Sequence, residues 1–243
     1  MLTEIGHIEG IFRYPVKSMA GERLDAAEMG WHGIEGDRRL ALRRMGDHSG
    51  FPWLTATKLP DLVLFAPVRG AGRTPENLPT HICTPDGSEL PVFSEELAAE
   101  VGRRYGSPVQ MMHMRHGIFD DASISVIATD TVREIIQSAG LTPDVRRFRP
   151  NILVRLLRSA PFQEDEWLSG VLSFGEGDNA PAVAVTMRDI RCAMVNFDPD
   201  SARPAPEVLK AAVHLNHNNA GIYGTVTRTG RLASGQTIFL RTS

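Results

Sequence analysis

The amino-acid sequence predicts a mainly β fold with a few helices, closed as a barrel rather than spread into a doubly wound sheet. Three observations lead there. Short apolar, β-branched segments recur along the whole length. Gly, Pro and Asp punctuate them, as in Pro85-Asp86-Gly87 and Thr229-Gly230. Helical periodicity interrupts the strands in only three places, too few for the regular strand–helix alternation of a parallel sheet.

Strands are expected at Ile5–Tyr14, Arg39–Arg44, Leu62–Val68, His81–Thr84, Ser123–Thr129, Asn151–Leu157, Ala182–Arg188, Ile222–Arg228 and Gln236–Arg241. The first helix is predicted behind Ser94. That residue caps it, Glu95 and Glu96 lie in its first turn, Arg103 and Arg104 in its last, and Gly106 just past the end. Asp130 opens a second helix, whose Val132, Ile135, Ile136 and Ala139 form one stripe that stops at Gly140. A third begins near Pro206 and gathers Val208, Leu209, Ala212 and Val213 on one face. Gly70–Pro79 reads as an exposed loop. A mild boundary at Gly106–Pro108 divides the chain into closely packed units, 1–107 and 108–243, the first a smaller β domain.

At 243 residues, 42% hydrophobic and 23% charged, the chain has the composition of a soluble globular protein with a sizeable core. Its 26 Lys and Arg against 29 Asp and Glu leave a net charge of −3, which argues against nucleic acid or an acidic membrane as the main partner. Cys83 and Cys192, its two cysteines, do not suggest a disulfide scaffold and point to a reducing compartment. The start Met1-Leu2-Thr3-Glu4 lacks a secretory pattern, and no apolar run approaches the roughly 18 residues that span a bilayer. The expectation is a cytoplasmic protein.

The chemistry centres on Arg191-Cys192-Ala193-Met194. A thiolate is a soft metal ligand or a nucleophile, and a neighbouring cation favours its deprotonated form. Taken alone, such a cysteine is most often a small buried apolar residue. Three basic segments accompany it. Lys17-Ser18 follows Tyr14-Pro15 at the end of a strand and presents an ammonium and a hydroxyl suited to phosphate or carboxylate, though by itself the pair reads as solvated. Arg38, in Gly36-Asp37-Arg38, adds a fork to the same anion or pairs with Asp37 or Glu35. Arg146-Arg147-Phe148-Arg149-Pro150-Asn151 stands before an apolar strand, as an anion pocket or a solvated loop, and the Asn151 amide suits the edge of a heterocycle. Asp120-Asp121-Ala122-Ser123 offers adjacent carboxylates that share a proton, bind a metal or simply form a turn. His113 with His116, and His214 with His217, have zinc-like spacing but no third ligand at a telling distance.

Together these segments resemble the MOSC family, and most closely its amidoxime-reducing members, which carry a MOSC N-terminal β-barrel domain ahead of the MOSC domain. The resemblance runs through Tyr14-Pro15-Val16-Lys17-Ser18, Gly36-Asp37-Arg38, Asp121, Ser123, Phe148-Arg149-Pro150-Asn151-Ile152, Glu164-Asp165-Glu166-Trp167, Arg191-Cys192 and Asp198-Pro199-Asp200. It implies that Cys192 is the protein ligand of molybdenum in a molybdenum–pterin cofactor. Lys17, Ser18 and Arg38 would hold the pterin phosphate and its neighbours, and Asp121, Ser123, Arg149 and Asn151 would line the pterin pocket. The implied activity is an oxidoreductase that reduces N-hydroxylated compounds with electrons from a separate ferredoxin- or cytochrome-like protein. The alternative is a carrier of the cofactor or of sulfur without redox turnover. Pyridoxal phosphate is associated with the family through its sulfurase members, whose extra domain is not expected here. Ile190 departs from the pattern, standing where amidoxime reducers can carry a small hydroxyl residue.

Overall fold

The computed structural model describes residues 2–70 and 77–242. In chain order its strands are β1 (Leu2–Arg13), β2 (Glu22–Leu24), β3 (Ala26–Gly30), β4 (Gly33–Ile34), β5 (Leu40–Arg44), β6 (Ala66–Val68), β7 (His81–Cys83), β8 (Glu89–Pro91), β9 (Val109–His113), β10 (Ile124–Ala128), β11 (Ile152–Leu156), β12 (Val171–Phe174), β13 (Ala182–Ile190), β14 (Asn219–Arg228), β15 (Gly230–Ala233) and β16 (Thr237–Arg241). Its helices are α1 (Glu95–Tyr105), α2 (Thr129–Ser138) and α3 (Glu207–Asn216).

Seven strands close a barrel in the order β11-β10-β14-β13-β12-β16-β1, with β1 pairing back onto β11. The β10–β11 pair is parallel and the other pairs are antiparallel. Closure leaves no free edge around the ring. β1 is long enough to serve both neighbours, and it shifts register between Glu4 and Gly6 against β16 and between Ile8 and Gly10 against β11. Such bulges bend a strand around a barrel. Alternate residues Gly6, Ile8 and Gly10 of β1 are buried, as a half-buried strand requires. Ile8, Val126, Val154, Leu172, Ile222 and Ile238 fill the interior, together with the indole of Trp167.

A second core lies under α1, the β5–β9 pair and the β6-β7-β8 sheet, built on Val16, Leu40, Leu54, Leu62, Phe65 and Leu97. A third joins α2 and α3 to the outside of the barrel through Ile127, Ile135, Ile136, Phe148, Val208 and Ala212. Strand pairing crosses residue 107 in both directions: β1 belongs to the barrel, and β9 pairs with β5.

The caps of α1 form as read from the sequence. Ser94 Oγ accepts from the Leu97 amide at 3.2 Å, and Gly106 takes the left-handed conformation with φ of 84°. One expected strand is corrected. The first half of Leu62–Val68, Leu62–Leu64, completes a 3-10 turn that spans Pro60–Leu64, and only Ala66–Val68 is extended. Pro60 stands at the start of that turn, where its fixed φ suits a helical opening, and Leu62 and Val63 are buried beneath it. Of the expected loop at 70–79, residues 71–76 lie outside the described residues. No described helix is long and apolar enough to cross a membrane.

Candidate functional site

The end of β1 is zipped to the segment before β5. The Arg38 amide donates to the Tyr14 carbonyl at 2.8 Å, the Leu40 amide to Pro15 at 3.0 Å, and the Lys17 amide to Leu40 at 2.8 Å. Asp37, fully buried, accepts from the Tyr14 amide at 2.7 Å. This brings Lys17, Ser18 and Arg38 together although about twenty residues separate them. Ser18, Arg38 and Arg149 all adopt left-handed backbone, with φ of 68°, 50° and 52°. Non-glycine residues hold that conformation only where the surroundings impose it, and such positions gather at functional sites.

Lys17, Ser18, Arg38, Arg149 and Cys192 line one open cavity of about 380 Å³. Its charges are unequally compensated. Lys17 Nζ meets Asp120 Oδ1 at 2.8 Å. Burial pulls the Lys17 ammonium below its usual range. Desolvation works the other way on Asp120, yet Lys17 holds that carboxyl below the ordinary carboxylate range. Arg38 meets Asp37 at 2.5 Å and donates to the Arg149 carbonyl at 3.0 Å. Burial opposes the Arg38 charge, and Asp37 outweighs it, leaving the guanidinium above its ordinary value. Arg149 differs. It donates to the Met19 carbonyl at 2.7 Å and stacks on Tyr14 at 4.2 Å, but among the described residues no carboxylate lies within ion-pair distance. Burial drags its pKa down to about 10.

Cys192 is exposed and sits on the cavity wall, at the turn that follows β13. The neighbouring Arg191 does not turn toward the sulfur's open side. Its guanidinium is buried, donates to the carbonyls of Ala220 at 2.7 Å and Phe148 at 2.9 Å, and meets Asp189 at 2.8 Å. Its evident work is to clamp the backbone that presents Cys192.

Several expected site residues take other places. Asn151 stands behind Arg38 with its amide already engaged: Nδ2 donates to Asp37 at 3.1 Å, and Oδ1 accepts from the Ser125 amide at 3.1 Å. It is 1% exposed and orients the Asp37–Arg38 pair, so no edge remains for a heterocycle. Ser123 is not on the cavity wall. Its carbonyl lies against Gly33, where an added Cβ would come within 2.7 Å. Asp121 is exposed at the cavity rim, and the contact with Lys17 falls to Asp120 instead. Arg146 and Arg147 are committed to Asp144, Asp200 and Asp198, so Arg149 alone of that cluster brings an unpaired guanidinium to the cavity.

The sequence reading missed Thr55, Thr57, Asp189 and Tyr223, which also line the cavity. The two threonine hydroxyls lie 2.8 Å apart. Thr55-Ala56-Thr57, two hydroxyls about a small buried residue, was the available signal. His116 stacks on His32 with ring centroids 4.3 Å apart. Among the described residues no three His, Cys, Asp or Glu side chains converge as a metal site.

Comparison with known proteins agrees with this architecture. Over its full length the chain is similar to the YuaD protein of Bacillus subtilis, with 16% identity, complete coverage of both chains and a TM-score of 0.55. It is more distantly similar to YiiM of Geobacillus stearothermophilus, with 17% identity, 49% of this chain and 54% of that chain covered, and a TM-score of 0.39. No curated protein sequence matches it. Residues 5–114 match the family profile of the MOSC N-terminal beta barrel domain, and residues 88–239 match that of the MOSC domain. The chain belongs to the MOSC domain family.

Proposed function

We propose that this protein binds a molybdenum–pterin cofactor in the cavity and reduces N-hydroxylated compounds there. One observation carries the reading: an exposed sulfur, Cys192, shares a cavity wall with Arg149, a guanidinium with no carboxylate partner among the described residues. A cation withdrawn from water is unfavourable until an anion completes it. A single soft thiolate suits a metal whose other ligands arrive with a small molecule. The residues present therefore fit the group.

Lys17, Ser18, Arg38 and Arg149 would hold its anionic part, and Cys192 would hold the metal. When bound, such a cofactor supplies two-electron redox chemistry at the metal. The chain's own residues contribute position and charge. Tyr14 presents its ring to the guanidiniums of Arg38 and Arg149, and Arg191 ties the segment at Cys192 to the carbonyls of Ala220 and Phe148. Asp120 shares Lys17 with the incoming anion. Electrons would come from a separate electron-transfer protein.

The test is metal analysis of the purified protein, paired with reduction of an N-hydroxylated amidine by reduced viologen. Wild type is expected to hold molybdenum and turn over repeatedly. Cys192→Ser is expected to lose metal and activity, with stability unchanged within about 0.5 kcal/mol because the side chain is exposed. Arg149→Ala is expected to retain less cofactor. Full activity in the serine variant would overturn the assignment. Stoichiometric transfer without repeated turnover would favour the carrier instead.

A further inference from the structure

We infer that Asp189 is the proton donor to a substrate bound beside Cys192, an inference that rests on the reductive reaction proposed above. Reduction of an N-hydroxyl group breaks the N–O bond, with two electrons supplied by the one-electron donor protein and two protons. The nitrogen is reduced and gains a proton, the oxygen leaves as water, and the donor is oxidised. At least one proton must be delivered inside the cavity.

Few cavity groups are suited to that task. Lys17 is tied to Asp120, at the cationic part of the wall. The guanidinium of Arg38 is locked to Asp37, and that of Arg191 to Asp189 and two carbonyls. Asp120 is kept ionised by Lys17. Burial pushes the Tyr223 phenol above its ordinary range, which makes it a poorer acid.

Asp189 differs in position and in environment. It lies near the end of β13, three residues before Cys192, and the strand turns it inward while Ile190 faces out, 1% against 68% exposed. One carboxylate oxygen does all its binding: Oδ2 accepts from Ser125 Oγ at 2.9 Å and meets Arg191 at 2.8 Å. Among the described residues Oδ1 has no hydrogen-bond partner, and Asp189 lines the cavity. The groups facing this carboxyl are Ser125 from β10, Tyr223 from β14, Arg191 on its own segment, Arg38 and Asp120. Burial, the largest influence, raises its pKa to about 6 against the pull of Arg191 and Ser125. A carboxyl protonated in part near neutrality is a competent general acid. An anchoring hydroxyl and a clamping guanidinium thus hold this carboxyl in the wall of the cavity that Cys192 also lines.

The experiment compares wild type, Asp189→Asn and Ser125→Ala in two readouts. The first is infrared difference titration of the purified full chain. It is expected to show a protonated carboxyl band that disappears with a midpoint near 6 in wild type and is missing in Asp189→Asn. The second is turnover of the N-hydroxylated amidine with reduced viologen across pH. Wild-type kcat is expected to fall as pH rises through the Asp189 midpoint, because only the protonated form donates. Asp189→Asn should lose about 100-fold in kcat and lose that limb, with its metal content retained. Ser125→Ala removes a hydrogen bond that favours the ionised form, so band and limb should both move to higher pH. If Asp189→Asn does not fold, the Ser125→Ala shift decides. Wild-type kcat and pH profile in a metal-loaded Asp189→Asn, or an unmoved limb in Ser125→Ala, would overturn the inference alone. A wild type that never turns over would instead overturn the reaction beneath it, and this role with it.

Discussion

The Tyr14 ring lies 5.1 Å from the Arg38 guanidinium and 4.2 Å from that of Arg149, and its buried hydroxyl finds no hydrogen-bond partner among the described residues. Burial raises its pKa to about 12, so the ring stays a neutral π surface for both cations. The ring is therefore useful and the hydroxyl costly, since an unsatisfied buried donor costs about 1–3 kcal/mol. Tyr14→Phe is expected to stabilise the protein by about 1 kcal/mol, raising the unfolding temperature by about 2–4 °C in calorimetry. A lower melting temperature would mean that the hydroxyl has a partner in solution. By residue type alone Lys17, Arg38 and Arg149 read equally as solvated, ion-paired or anion-binding cations, and the family resemblance singled them out. Asn151 and Ser123 stand away from the cavity wall, since polar neutral side chains serve the interior as readily as a ligand, and here Asn151 serves Asp37.

Among the elements, α2 shows how a local signal is completed from elsewhere. Its N-cap position is Ala128, which offers no side-chain acceptor. Glu164, far along the chain and fully buried, accepts from the Ala128 amide at 3.2 Å and from Thr131 Oγ1 at 2.9 Å. Burial raises the pKa of Glu164. A carboxyl whose folded pKa exceeds its unfolded value of about 4.3 contributes stability below that value, and the contribution is lost as pH rises through the folded value. Glu164→Gln, which keeps an acceptor without the charge, should then gain on wild type as pH rises from about 4 toward neutrality. Urea unfolding at a series of pH values measures this, and the opposite slope would reject it. Glu164→Ala should cost about 2 kcal/mol, the upper end for loss of a cap. The same carboxylate-rich segment supplies Trp167 to the barrel core, so it links two packing layers.

At the scale of the whole molecule, the site depends on closure of the barrel. β1 holds β16 on one side and β11 on the other, and its C-terminal end delivers Tyr14, Lys17 and Ser18. β11 leads directly from Arg149, and β13 leads directly to Cys192. Closure thus converts three distant chain segments into one wall. Gly6 marks the seam, because a Cβ there would lie 2.1 Å from the Arg155 carbonyl oxygen. That oxygen belongs to backbone and has little freedom to retreat. Gly6→Ala is expected to cost about 3 kcal/mol or more, at the high end for overpacking. It should lower cofactor retention along with the melting temperature. An unchanged melting temperature would show that the seam adjusts.

The sequence by itself determined the β-rich class and the three helices with the caps of α1, and it offered the cations and the sulfur of Cys192 as candidates. Each of these is carried by local patterning or by side-chain chemistry, which tertiary context does not rewrite. Only the tertiary structure decided that Asp120 rather than Asp121 reaches Lys17, that Arg191 turns inward, and that Arg149 meets no carboxylate among the described residues. The same holds for Asp189, an aspartate with no motif of its own that the fold buries in the wall of the cavity that Cys192 also lines. Charge compensation depends on distances between strands far apart in the chain, and those distances exist only once the barrel has closed.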